Sequence, residues 1–128
     1  MEENLRNFFN RILEVLGTDS TSRRQAAIEA LEGKMMKRGL EQVLKTLRAP
    51  ERKRYNAFLK DKQPTATMLA DFLYSLVPED RIAKCFAQAA EAVAQEYIIS
   101  LLKDANPTQK ERVKEVLKEH VPDLIPGV

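Results

Sequence analysis

The side chains of this sequence best grouped for chemistry are cations. Residues 34–62 hold ten basic side chains (Lys34, Lys37, Arg38, Lys45, Arg48, Arg52, Lys53, Arg54, Lys60 and Lys62) against three acidic ones. That is a local net charge of +7 in a chain whose total is +2. Lys34, Lys37, Arg38, Lys45 and Arg48 fall on one side of a helical projection, and Arg52, Lys53 and Arg54 continue the run. Such a row can neutralise phosphates or an acidic partner, releasing counterions as it does so. It is also what a solvated lysine-rich helix face looks like. Readers of nucleic acid usually add stacking aromatics or a reading motif. Here only Tyr55 and Phe58 lie nearby, both at core-facing positions.

Other reactive groups are scattered. His120 is the only histidine and falls in the last turn of a helix, where an imidazole interacts well with the helix dipole. Cys85, the only cysteine, sits beside Phe86 on an apolar helix side and reads as a small core residue. Met35-Met36 reads as core, with an adaptable binding surface as the alternative. The sequence lacks a glycine-rich phosphate loop, Cys-x-x-Cys pairs, an Asp/Gly-rich calcium loop and Glu-x-x-His pairs. The expectation is a non-enzymatic protein with no catalytic residue, metal, cofactor or small-molecule substrate.

Six helices would have to position these groups. Leu5, Phe8, Phe9, Ile12, Leu13 and Leu16 keep the spacing of one helical face over about 3–16, and Gly17 stops it. Asp19, Ser20, Thr21 and Ser22 offer cap oxygens to a long helix over about 21–48. Gly33 and Gly39 lie inside it, read as sites of close packing or a slight bend, with a hinge as the alternative. Pro50 suits the first turn of a third helix, about 50–60. Pro64, Thr65 and Thr67 open a fourth, to about Leu76. Pro78 opens a fifth, with Glu79 and Asp80 in its first turn, running to about Asp104. Asn106-Pro107 marks a sixth, ending near Val121.

Composition agrees with a single all-α domain over 1–128: four glycines, no tryptophan, and 44% hydrophobic against 31% charged residues, enough apolar material for a core. No apolar run reaches the roughly 20 residues that span a bilayer, so no membrane partner is expected. The start Met1-Glu2-Glu3-Asn4 lacks the basic and apolar regions of a signal peptide, and the expected location is cytoplasmic.

The helices fall into two similar sets. A shift of 58 places Ile28, Leu31, Met35, Leu40, Val43 and Leu44 on Phe86, Ala89, Val93, Ile98, Leu101 and Leu102. The same shift places Tyr55, Phe58 and Leu59 on Val113, Val116 and Leu117. A shift of 60 places Phe8, Phe9, Ile12, Leu13 and Leu16 on Met68, Leu69, Phe72, Leu73 and Leu76. The expected architecture is a six-helix bundle of two short–long–short copies, about 3–61 and 64–121. The second copy does not keep the cationic row: Ala92, Gln95, Glu96 and Asn106 stand opposite Lys34, Lys37, Arg38 and Arg48, only Lys103 matches Lys45, and Ile99 replaces Glu41. The fold therefore does not require the row. Ala92, Gln95 and Ile99 make a less polar face that the first copy or a second molecule could cover. The apolar, proline-broken tail from Val121 to Val128 reads as a strap packing Leu124 and Ile125 onto the bundle; the alternative is an exposed docking segment.

The run from Ala26 through Leu47, Ala49-Pro50-Glu51-Arg52, Tyr55 to Leu59, Met68 to Leu76 and Val77-Pro78-Glu79-Asp80 with the long helix after it resembles an uncharacterised family of small helical bacterial proteins. That family pairs a leucine-rich helix, short turn and Glu-rich helix with a second helix pair after a proline. The likeness covers about residues 20–104 through leucine and proline spacings. The chain departs from it at Arg52, Lys53 and Arg54, where the family pattern is mostly acidic. The resemblance implies an all-helical fold and transfers no site.

The leading expectation is an interaction protein that binds a protein partner or itself, with Ala92, Gln95, Ile99, Leu124 and Ile125 as the candidate surface. The alternative is a nucleic-acid binder using Lys34, Lys37, Arg38, Lys45, Arg48, Arg52, Lys53 and Arg54.

Overall fold

The computed structural model describes residues 3–18, 20–61 and 63–125. Met1, Glu2, the cap candidate Asp19, Lys62 of the basic run, and Pro126, Gly127 and Val128 of the tail lie outside the described residues. Among the described residues there are six α-helices and no strand: α1 Glu3–Val15, α2 Thr21–Lys45, α3 Ala49–Asp61, α4 Ala66–Leu76, α5 Glu79–Asp104 and α6 Pro107–His120. No helix among them is long and apolar enough to cross a membrane.

The punctuation read from sequence has local physical causes. Gly17 adopts φ +91°, and the amides of Gly17 and Thr18 donate to the carbonyls of Glu14 and Leu13, a Schellman closure of α1. Thr65 Oγ1 accepts from the Met68 amide at 3.2 Å and starts α4. At α6, Asn106 Oδ1 accepts from the Gln109 amide while Gln109 Oε1 accepts from the Asn106 amide, at 2.8 and 3.0 Å. One end moved. Helix α2 stops at Lys45 rather than Arg48, because the chain breaks into a turn in which Thr46 Oγ1 donates to the Val43 carbonyl.

The helices form two compact units, Met1–Met35 with Ala90–Val128, and Met36–Ala89. Their boundaries cross the sequence-level copies. The first unit takes α1, the start of α2, the end of α5 and α6; the second takes the end of α2, α3, α4 and the start of α5.

In the first unit α1 lies against α6, and Phe8, Phe9 and Ile12 are completely removed from solvent together with Ala94, Ile98 and Val113. The Phe9 ring meets Tyr97 edge-on at 5.8 Å, and burial pushes the Tyr97 phenol pKa up. Arg24 ties the α1–α2 turn by donating to Asn10 Oδ1 at 2.9 Å and to the Thr18 carbonyl at 2.8 Å. The tail returns as a strap: Val121, Leu124 and Ile125 pack half-buried on this core.

The core of the second unit is smaller, comprising Val43, Leu47, Leu73, Val77, Ile82 and Cys85, with Leu40, Leu44, Tyr55, Leu69, Leu76 and Phe86 partly buried against it. Here Gly39 lets α2 and α5 approach closely: a Cβ at Gly39 would overlap the Phe86 ring, whereas a Cβ at Gly33 would meet nothing within 4 Å. Close packing therefore explains Gly39 and not Gly33.

The two glycines should respond oppositely to alanine. Gly33→Ala should raise stability by about 0.5–1 kcal/mol, the helix-propensity gain. Gly39→Ala should lower stability, because overpacking costs about 1–3 kcal/mol and outweighs that gain. Urea unfolding midpoints check both.

Candidate interaction surface

Helix α4 is the most apolar of the six, with one charged residue, Asp71, in its 11 positions. Of its side chains only Leu73 is buried, and α3 buries none. The equivalent helices of the other unit behave differently. Phe8, Phe9, Ile12 and Leu13 of α1 and Val113, Val116 and Leu117 of α6 are all buried. Fully burying side chains of this size stabilises by roughly 1.5–3 kcal/mol each. The α1–α6 pair therefore gains several times more from its core than α3–α4 does. Five large apolar side chains stand exposed among the described residues: Met36 (56%), Leu59 (41%), Met68 (39%), Tyr74 (59%) and Ile99 (46%). Four of them belong to the 36–89 unit.

One member of this set, Met68, lies close in sequence to a pair of stacked rings. The half-buried rings of Phe58 on α3 and Phe72 on α4 stack at 4.1 Å with 2° between their planes. Met68 lies one turn before Phe72 and Arg54 one turn before Phe58, both exposed. One face of each ring is turned to the other, so the stack joins two helices rather than offering both faces to a base.

The start of α3 is held by one ion pair. Arg81 Nη1 and Nη2 donate to the two Glu51 carboxylate oxygens at 2.9 Å each, and Nη1 also donates to the Thr46 carbonyl at 3.1 Å. Glu51 Oε1 further accepts the Arg48 amide at 2.9 Å, the role that Gln109 plays for Asn106 in α6. The Arg81 hydrogen bonds, then the Arg48 amide, hold the Glu51 carboxyl well down, at about 2, and the carboxylate raises Arg81. α3 is thus anchored by polar contacts at its start and by Tyr55 and Phe58 further along.

The cationic residues divide by what they touch. Lys34, Lys37 and Lys45 are exposed on α2, while Arg38 is part-buried and has a partner. Arg48 lies beyond α2, at the start of α3, so it does not continue the α2 face as the projection predicts. Arg52 Nη2 donates to the Leu44 carbonyl at 2.6 Å and closes the α2 end. Lys53 and Arg54 are exposed on α3. Met36, placed by periodicity in the core beside Met35, is instead more than half exposed.

On the other candidate face the chain covers part of itself. Gln95 Nε2 donates to the Leu124 carbonyl at 2.6 Å, with Leu124 and Ile125 half-buried on the core. Ala92 is half-buried, and Ile99, one turn beyond Gln95, is uncovered. Cys85 is buried, as expected from its helix side. A separate cleft of about 510 Å³ in the first unit mixes Arg11, Arg24 and Arg112 with Glu14, Glu115 and Glu119, charges of both signs with no common direction.

Periodicity did not mark Met68, Tyr74 and Leu59 as surface residues. A signal for α4 was present on its outer side: Arg6, Asn10 and Glu14 of α1 correspond, at a shift of 60, to Ala66, Ala70 and Tyr74. The second copy's first short helix thus loses the polar outer face of α1 while keeping its apolar inner one.

Because the Glu51 carboxyl is depressed from the usual 4.5 to about 2, its contribution to stability is fully present above about 4.5 and is lost as pH falls through about 2. Glu51→Gln should therefore be less stable than the parent at pH 7, and the gap should close between those values in thermal unfolding at stepped pH. Compared with family models, curated proteins and solved structures, the chain finds no match, so its site is read from its own residues.

Proposed function

We propose that this chain is a non-enzymatic, cytoplasmic six-helix bundle that works by binding another protein or a second copy of itself, using the α3–α4 side of the 36–89 unit. The carrying observation is that the most apolar helix of the chain buries one side chain. Large apolar side chains left exposed in this way are what an interaction site would use. The same unit has eleven basic and six acidic side chains, a net of +5, against −3 for the rest of the chain. A partner would be drawn in by charge and retained by apolar contact.

Affinity capture and sedimentation velocity, run with the parent chain and a Met68→Asp, Tyr74→Asp variant, test the reading. Both residues are exposed, so the variant should keep its helical circular dichroism and lose the partner or the self-association. A parent that stays monomeric and captures nothing, or a variant that captures the same partner, removes the proposal.

A second reading rests on the cluster of exposed cations. Lys37, Lys45, Lys53 and Arg54 have no structural duty comparable to that of Arg52, and together could follow a phosphate backbone. On that reading, affinity for a 20-base RNA or DNA falls steeply with salt. Charge reversal of Lys37, Lys53 and Arg54 should then lower the salt slope by about 0.7–0.9 for each phosphate no longer neutralised. Absence of retention at low salt ends it.

A further inference from the structure

Each unit carries an exposed surface, and the two are opposite in charge. In the first unit the strap meets α5, where Gln95 Nε2 donates to the Leu124 carbonyl, and a cleft of about 280 Å³ opens beside Glu91. The walls of the cleft are Val121, Pro122 and Leu124, and its two charged members, Glu91 and Asp123, are both acids. Both are exposed, and among the described residues neither has a hydrogen bond or an ion pair. Ile99, one turn beyond Gln95 on α5, is exposed as well. This cleft suits a lysine or arginine side chain. Apolar walls take the methylene stem, and the carboxylates take the charged head.

In the second unit Lys53, Asn56, Ala57 and Lys60 follow one stripe of α3 at i, i+3, i+4 and i+7, all of them exposed. The acids of α3 are Glu51, which is bound to Arg81, and Asp61 at its last position. We infer that the two surfaces are the two sides of one interface. The α3 stripe of one copy docks on the strap cleft of a second copy, and a lysine of the stripe enters beside Glu91 and Asp123. The inference rests on the protein-docking reading and names its partner, a second copy of this chain, together with the surface met there. Charge favours this pairing. The 36–89 unit carries a net of +5 and the rest of the chain −3, so unlike units of two copies attract. Two α3–α4 sides set against each other would instead bring Lys53, Arg54 and Lys60 of both copies to one interface, a like-charge contact that costs binding. Leu59 on α3 and Ile99 on α5 are exposed and supply apolar contact at the two surfaces. Each copy has one surface of each kind, so the contact either closes reciprocally in a pair or ring or runs on as a chain.

Sedimentation velocity of the full chain over a range of concentrations tests the inference. Association should be present at about 0.1 M salt and weaken at about 1 M, where the screening length falls from about 10 Å to about 3 Å. Lys53→Glu with Lys60→Glu should weaken it about tenfold or more, and Glu91→Lys with Asp123→Lys should do the same. All four residues are exposed, so both variants should keep the helical circular dichroism of the parent. Mixed in equal amounts, the two variants should associate again. Each reversed surface then meets one reversed to match it, and each native surface meets a native one.

Association that survives either variant, or a mixture that stays apart, overturns the inference, and the docking reading then rests on the Met68 and Tyr74 variant alone. A parent that is monomeric yet captures a protein partner through Met68 and Tyr74 also overturns it and leaves the docking reading standing. A parent that is monomeric and captures nothing removes both.

Discussion

An amphipathic helix holds its place only as far as its apolar stripe is covered, and in this chain two long helices must each be covered twice. The beginning of α2 and the end of α5 serve the core around Phe8, Phe9 and Ile98, and the end of α2 and the beginning of α5 serve the core around Val43, Leu73 and Ile82. Everything shorter is arranged by what these stripes leave open. Near the first core, α1 and α6 are fully engaged and the tail adds a further layer. The second core has fewer large side chains to offer, so α3 and α4 are held with a polar clamp at Glu51 and Arg81 and only partial apolar contact.

The clamp and the close approach at Gly39 show how the weaker unit is kept together without full burial. A bidentate guanidinium–carboxylate pair is directional and fixes the start of α3 against the start of α5. Contact between Gly39 and Phe86 brings α2 and α5 near enough for one ring to fill the gap. Between them they leave the outward side of α3 and α4 free of structural obligation. A surface with that freedom can carry methionine, tyrosine and leucine without endangering the fold.

Much of the architecture was legible in the sequence, and for a simple reason. Helix periodicity and end signals are local, and Gly17, Thr65, Pro107 and Asn106 act within a few residues of where they stand. The return of Leu124 and Ile125 onto the core was legible too, since an apolar tail that cannot continue a helix has few other places to go. The candidate surface was less so. Periodicity tells which side of α4 is apolar but not whether another element lies over it. Register comparison predicts that Met68 is buried as Phe8 is, and it is not. Arg48 departs from the projected face because a turn ends α2 early, and Met36, next to the buried Met35, is exposed. The clamp between Glu51 and Arg81 joins residues 30 positions apart and leaves no mark in either segment alone.

The interleaved units also bear on the order in which the chain assembles. Residues 36–89 are contiguous, so their contacts close short loops and can form as soon as that stretch exists. Completion of the first unit requires the two ends of the chain to meet, as when Asn4 donates to the carbonyl of His120 across 116 positions. The core around Phe8 and Phe9 also draws on Ile28, Leu31 and Met35 of α2, and it is complete only with Val113, Val116 and Leu117 of α6. Formation of the contiguous unit meanwhile shortens the loop that α1 and α6 have to close, a modest entropic saving, since closure cost grows only with the logarithm of length. The unit built from distant segments has the fuller core, and the contiguous unit has most of the exposed apolar side chains.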